Sequence, residues 1–218
     1  MSPAGPPRTP DPPYLPDRLA DSEQPGPDGL CEAALDGADL TGAELHGAVF
    51  EASRLSAVAA AGCDLADSRW VDAELAGCNL ANGRLRGARM RRAHLTECRL
   101  TGLSIAEGAL DDVTVAGSQA DLADFGGAVL DRVRFADCDL RGSTWTGARL
   151  RDVAFEDCDL READLREARF ENIALRGCRI DGVRGAERLR GVTMPLDDVV
   201  AGAAVFATAC GVRIAPEE

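Results

Sequence analysis

Ala38-Asp39-Leu40-Thr41-Gly42 and Cys158-Asp159-Leu160-Arg161-Glu162 are two copies of one five-residue unit that organises the chain from Leu35 to Ile180. Over thirty consecutive units every fifth residue is Leu, Ile, Val, Met, Phe or Trp, apart from Ala60 and Ala120. Two places before it stands Ala, Ser, Cys, Gly or Val, except at Leu103 and Ile173. A period of five matches neither an α-helix nor a long alternating strand. It does match a three-residue extended piece followed by a two-residue corner. The small and the large residue then face one axis, and the residue between them faces water. A repeat this strict and short means a solenoid.

Twenty residues make one lap. Cys78, Cys98, Cys138, Cys158 and Cys178 stand at multiples of twenty, with Ser118 in the gap, and Gly42, Gly62, Gly102, Gly142 and Gly182 keep the same spacing. Four short sides and four corners per lap follow, so Leu140, Trp145, Leu150 and Phe155 should occupy the four walls of one square. Laps ~4.8 Å apart give a rod on the order of 36 Å long. Two places weaken the pattern: Ala60 underfills one wall, and Ser118 to Asp124, with Leu122 out of phase, reads as a local bulge. Leu103 and Ile173 put extra volume at small sites that compensates elsewhere.

These units resemble the pentapeptide-repeat proteins. The resemblance implies an all-β fold, a right-handed quadrilateral parallel β-helix of about 20 residues per coil, with a C-terminal capping α-helix. It covers residues 30–194. Residues 1–29 hold nine of the eleven prolines and read as a flexible, partly polyproline tail. Tyr14, Leu15 and Leu19 are its candidates for docking on the first coil, whose open strand edge needs a cover. After Ile180 the rhythm loses register, and Leu189 and Met194 resume it one residue early. Residues 195–218 carry a helix signal: Thr193 ahead of Pro195, Asp197 and Asp198 in the first turn, apolar residues at helical spacing to Cys210, and Gly211 as the stop. Val212-Arg213-Ile214 reads as a short final strand. Terminal solenoid repeats need caps, and Leu196, Val199, Val200, Ala203 and Phe206 are the candidate cap residues. The helix is apolar around too much of its circumference for a lid alone, so a homodimer interface is the sharper expectation. The ending resembles the C-terminal helix through which gyrase-inhibiting members of the family pair.

Composition narrows the chemistry. The 218 residues carry a formal charge of −13 and are 45% hydrophobic, and all 24 basic residues are arginine. No apolar run is long enough for a transmembrane helix, and the Pro-rich N-terminus is no secretory signal, which points to the cytoplasm. Most of the eight cysteines fall at the small inward site, where a thiol is an apolar filler. His46 and His94 both sit at outward positions, and Cys98 points away from His94, so neither a metal nor another cofactor is expected. Paired carboxylates abound without a cleft, which argues against an enzyme. Phe50, Trp70, Phe125, Phe135, Trp145, Phe155 and Phe170 all point inward, leaving no stacking platform for nucleic acid, and the net charge repels phosphate.

The expected function is therefore protein binding. The side centred on Leu45, Leu65, Leu85 and onward to Leu165 is the most acidic, through Glu44, Asp64, Asp67, Glu107, Asp124, Asp164 and Glu167. Arg84, Arg86, Arg89, Arg91, Arg92 and Arg99 form a basic girdle near mid-rod. The family resemblance implies a DNA mimic that binds DNA gyrase and modulates or protects it, conferring resistance to quinolones. The alternative is a structural scaffold with an unrelated protein partner.

Overall fold

Phe50 lies beside Trp70, Trp70 beside Met90 and Leu130 beside Leu150, each pair parallel and twenty residues apart. The lap length read from the cysteine and glycine spacing is the one the backbone adopts. A computed structural model describes residues 5–26 and 28–214. Seven eight-residue strands, one per lap, form a continuous parallel sheet: β4 (Val49–Ser56), β5 (Arg69–Ala76), β6 (Arg89–Thr96), β7 (Ala109–Ala116), β8 (Val129–Ala136), β9 (Arg149–Glu156) and β10 (Arg169–Arg176). Each spans two sides of the square, bent by a left-handed residue at its centre, such as Asp72, Asp112 or Asp152. Single bridges such as Asp39↔Ala59 and Glu44↔Asp64 build the other two sides. In chain order, the sides are centred on Leu40, Leu45, Phe50 and Leu55 and their equivalents; they are called one to four below.

The interior is the two apolar positions of every unit. Leu140, Trp145, Leu150 and Phe155 are all buried, one to a wall. Aromatic residues of the same wall stack between laps: Phe50 on Trp70 at 3.8 Å, Phe125 on Trp145 at 4.1 Å and Phe135 on Phe155 at 5.1 Å between centroids. Each buried indole N–H would be an orphan in such a core. Each meets the serine two residues earlier: Trp70 Nε1 donates to Ser68 Oγ at 2.9 Å and Trp145 Nε1 to Ser143 Oγ at 2.8 Å. Leu103 fits at a small site because Gly83 of the preceding lap has no side chain; a Cβ there would stand 3.2 Å from Leu103 Cδ1.

The expected bulge at Ser118–Asp124 does not occur. Gln119↔Asp139 and Asp124↔Thr144 continue both ladders, and Leu122 is simply a corner residue, at φ 59° and exposed. Its hydrophobicity, not any break in register, is what misled the reading.

Both rod ends carry elements outside the repeat. At the start, β1 (Ala20–Ser22) pairs in parallel with β3 (Ala33–Asp36), which pairs with β4 in turn, as does β2 (Gly29–Cys31). The proline-rich segment thus covers the side-four edge of the first lap, while Asp39 and Glu44 on sides one and two bridge only the lap that follows. Residues 8–14, expected as part of a flexible leader, lie along the edge between sides three and four. Arg8 Nε donates to Asp152 Oδ2 at 2.7 Å, the Asp11 amide to Asp112 Oδ1 at 3.1 Å and the Tyr14 amide to Asp72 Oδ1 at 2.9 Å. The Tyr14 ring does not dock; it is exposed.

At the far end the last lap is one residue short. Ala174 bridges Thr193 rather than residue 194, as the early return of Leu189 and Met194 foretold. Gly185, at φ 79°, opens a 3₁₀ turn (Ala186–Leu189) where a Cβ would strike Arg166 N at 2.7 Å. The C-terminal helix forms in two pieces, α1 (Leu196–Ala201) and α2 (Ala203–Ala209), divided at the buried Gly202. Pro195 stands at the N-cap without a side-chain bond, so Thr193 does not cap. Val212, Arg213 and Ile214 form no strand; they are exposed coil, since the edge of the last lap is already taken by Thr193. Among the described residues no helix is long and apolar enough to cross a membrane.

Candidate protein-binding surface

Side two is where the sequence places the acidic surface, and its outward column runs Glu44, Asp64, Arg84, Ser104, Asp124, Thr144, Asp164 and Arg184. Parallel stacking without stagger sets these side chains one lap apart, so opposite charges in successive laps meet. Arg84 reaches Asp64 at 2.9 Å, and Arg166 and Arg184 reach Asp164 at 2.6 and 3.4 Å. Arg86 holds Glu107 at 2.7 Å, and His46 Nε2 lies 3.7 Å from Asp67. The Ala66 amide and Arg84 keep the Asp64 carboxyl below the usual carboxylate range, and Arg166 does the same for the buried Asp164. Glu44, Asp124 and Glu167 have no ion-pair partner among the described residues, although Asp124 Oδ1 accepts from the Gly126 amide at 2.8 Å. The seven expected residues therefore do share one side of the rod. They form a charge mosaic there rather than an uninterrupted acidic strip.

The basic girdle divides in the same way. Arg84, Arg86 and Arg92 are committed to carboxylates, Arg92 to Asp72 through two bonds. Arg89, Arg91 and Arg99 form no ion pair among the described residues. Side one carries pairs within single units, Arg141 with Asp139 and Arg161 with Asp159. In the cap, Phe206 packs on the core, while Leu196, Val199, Val200 and Ala203 face outward. Leu196 is 75% exposed and Val200 67%, so the candidate residues split into one cap residue and an apolar outer face.

Two open concavities accompany these surfaces. One, of about 430 Å3, lies between the 3₁₀ turn and α2, and the other, of about 460 Å3, along the corner of Asp137 and Asp157. Neither brings a histidine to a carboxylate or a thiol. The eight cysteines are free thiols, five of them buried, and burial pushes Cys63 up to about 11. Among the described residues no cluster of three or more His, Cys, Asp or Glu is arranged to hold a metal.

Sequence reasoning missed the column of Asp72, Asp112 and Asp152, which receives the N-terminal segment. The signal was present: three aspartates forty residues apart at the same corner.

The fold and its surface are those of a pentapeptide-repeat rod. A family model described as a pentapeptide repeat region matches residues 88–165, and one described as pentapeptide repeats in eight copies matches residues 30–56. Both stretches carry the repeat that these models describe, and the five-residue register continues unbroken between and beyond them. Among solved structures, full-length QnrB1, a plasmid-mediated fluoroquinolone resistance protein, is 17% identical, with TM-score 0.46 over 84% of this chain and 89% of that one. HetL, involved in heterocyst differentiation regulation in Nostoc sp. strain PCC 7120, is 21% identical, with TM-score 0.34 over 77% of this chain and 89% of its own. Rfr23 from Cyanothece 51142 is 16% identical, with TM-score 0.20 over 68% and 91% of the two chains. No curated protein sequence matches the chain.

Proposed function

We propose that the chain is a non-catalytic, protein-binding rod of the cytoplasm, with side two as its partner surface and DNA gyrase as the partner. The observation that carries this is the unbroken stack of side two: outward groups repeat at lap spacing from Glu44 to Arg184 with no insertion between them. A rod that carries carboxylates along one side offers phosphate-like charge to a basic groove, and its association is salt-sensitive. Glu44, Asp124 and Glu167 are the carboxylates free to engage first. The outward face of Leu196, Val199, Val200 and Ala203 joins two copies into a homodimer. A gyrase supercoiling assay tests the partner: inhibition, or protection from a quinolone, at micromolar protein supports it, and neither effect rules it out. Sedimentation tests the dimer, which Val200→Asp should dissociate.

A second reading is a scaffold for a different protein. It is favoured by the internal pairing of Asp64, Glu107 and Asp164, since carboxylates already held by arginines present less charge to a basic groove. Binding that survives about 0.5 M salt, where the Debye length is only a few ångströms, would favour it over mimicry.

A further inference from the structure

The edge between sides three and four differs from the other corners of the rod. Elsewhere glycine recurs at the left-handed corner residue, but this column reads Ala52, Asp72, Arg92, Asp112, Arg132, Asp152 and Asn172. Each aspartate is gripped by the residue one lap on. Arg92 donates twice to Asp72, Arg132 twice to Asp112, and Asn172 Nδ2 donates to Asp152 Oδ1 at 2.5 Å. Each also accepts one further bond, and in every case the donor is the N-terminal segment.

The donors Arg8, Asp11 and Tyr14 are three residues apart, and their acceptors Asp152, Asp112 and Asp72 are two laps apart. A polyproline-II segment advances ~3.1 Å per residue, hence ~9.3 Å per three. Two laps advance ~9.6 Å. The two periods agree to a few tenths of an ångström, so the segment stays in register across the rod without strain. Its sequence is written for this. Proline, which has no N–H, stands at 10, 12, 13 and 16 and not at 11 or 14, whose amides donate, while Arg8 donates from its guanidinium. Beyond Tyr14 the chain leaves the edge, and the Ala20 amide bonds Glu32 O to begin β1.

We propose that the corner column of Asp72, Asp112 and Asp152 is a peptide-binding track for polyproline-II segments bearing a donor at every third residue, and that residues 8–14 are its cis ligand, exchangeable for such a segment of another polypeptide. Known grooves for such helices recognise them through aromatic side chains; here fixed carboxylates read two backbone N–H groups, of Asp11 and Tyr14, and the guanidinium of Arg8. The track lies on an edge that side two does not share, so a proline-rich partner and the partner of side two can be held together.

The test uses full-length protein and a fluorescent peptide of residues 5–19. The triple variant Arg8→Ala, Asp11→Pro, Tyr14→Pro favours polyproline II through its added prolines but removes the three donors, so it vacates the track. The peptide should bind the variant at least tenfold more tightly than the unaltered chain, whose own tail competes. A peptide carrying Asp11→Pro and Tyr14→Pro should lose that binding at least tenfold. Equal affinity for both proteins overturns the proposal. So does equal binding of both peptides, or no binding up to about 1 mM, the scale of effective concentration for a short tether; the segment is then only a strut of the fold.

Discussion

Ser53 and Ser143 occupy the same small inward site of their units, and their hydroxyls meet opposite fates. Ser143 Oγ donates to Leu140 O at 2.6 Å and accepts the Trp145 indole, whereas Ser53 Oγ is buried with no partner among the described residues. An unpaired buried hydroxyl costs roughly 1–3 kcal/mol. Ser53→Ala should therefore stabilise the rod by about 1 kcal/mol, a rise of about 2–4 °C in thermal midpoint. Ser143→Ala should lower the midpoint by a similar amount, because it orphans the indole. Calorimetry of the two variants checks both, and equal effects would refute the assignment. Leu122 poses a different residue-scale problem. A bulky side chain at φ 59° is strained, and Leu122 is 64% exposed, so little burial offsets the strain. Left-handed strain of roughly 1–2 kcal/mol exceeds the roughly 0.4–1 kcal/mol that glycine's extra unfolded freedom takes back. Leu122→Gly should be more stable by about 0.5–1 kcal/mol, read as a raised denaturation midpoint.

At the scale of elements, the ends rather than the laps decide what holds the rod together. Corner amides of each lap bond a carbonyl of the next: Gly77 to Thr96, Gly117 to Ala136, Asp157 to Arg176. Gly177 has no following lap, and Asp198 in the first turn of α1 supplies the acceptor instead, at 2.7 Å. Asp198→Ala should loosen this joint by about 0.5–1.5 kcal/mol, so the Gly177 amide should exchange roughly two- to tenfold faster while amides of β7 stay unchanged. An unchanged Gly177 would mean the cap is held by apolar packing through Val205 and Phe206. The laps themselves were legible because one side-chain period, five, fixes wall, corner and lap at once. The ends were not. Gly202 lies within a helical apolar pattern, and nothing local says that it must touch Ile180, where a Cβ would come within 2.9 Å of Cδ1. Val212 to Ile214 look strand-like by composition, but a strand needs a free edge, and that is a property of the assembled rod. Side two was legible as a column and illegible as a charge. Arg166 and Asp164 stand two apart in the sequence, and only side-chain reach shows that they pair.

Across the whole molecule, alongside the pairs held within single units, a second set of ion pairs runs lengthwise and ties each lap to its neighbour. Arg132 pairs with Asp112, Arg151 with Asp131 and Arg92 with Asp72, and these arginines hold the three carboxyls below their ordinary 3.8. At Asp152 burial works against ionisation, but Asn172 and Arg8 outweigh it, and its carboxyl also lies low. A carboxyl that titrates lower in the folded chain binds fewer protons there than in the unfolded one. Acid then favours unfolding. The contribution is complete above the unfolded value near 3.8 and drains away as pH falls through the lower folded values. The thermal midpoint should stay level from about pH 7 to 5 and drop steeply below about pH 4. The arginine-gripped track binds the N-terminal segment through the same carboxylates, so the Asp11 and Tyr14 amides should lose protection against hydrogen exchange, relative to their intrinsic rates at each pH, over the same acid range. A midpoint that stays flat to about pH 2.5 would show that the lengthwise pairs add nothing, leaving the apolar walls to hold the rod alone.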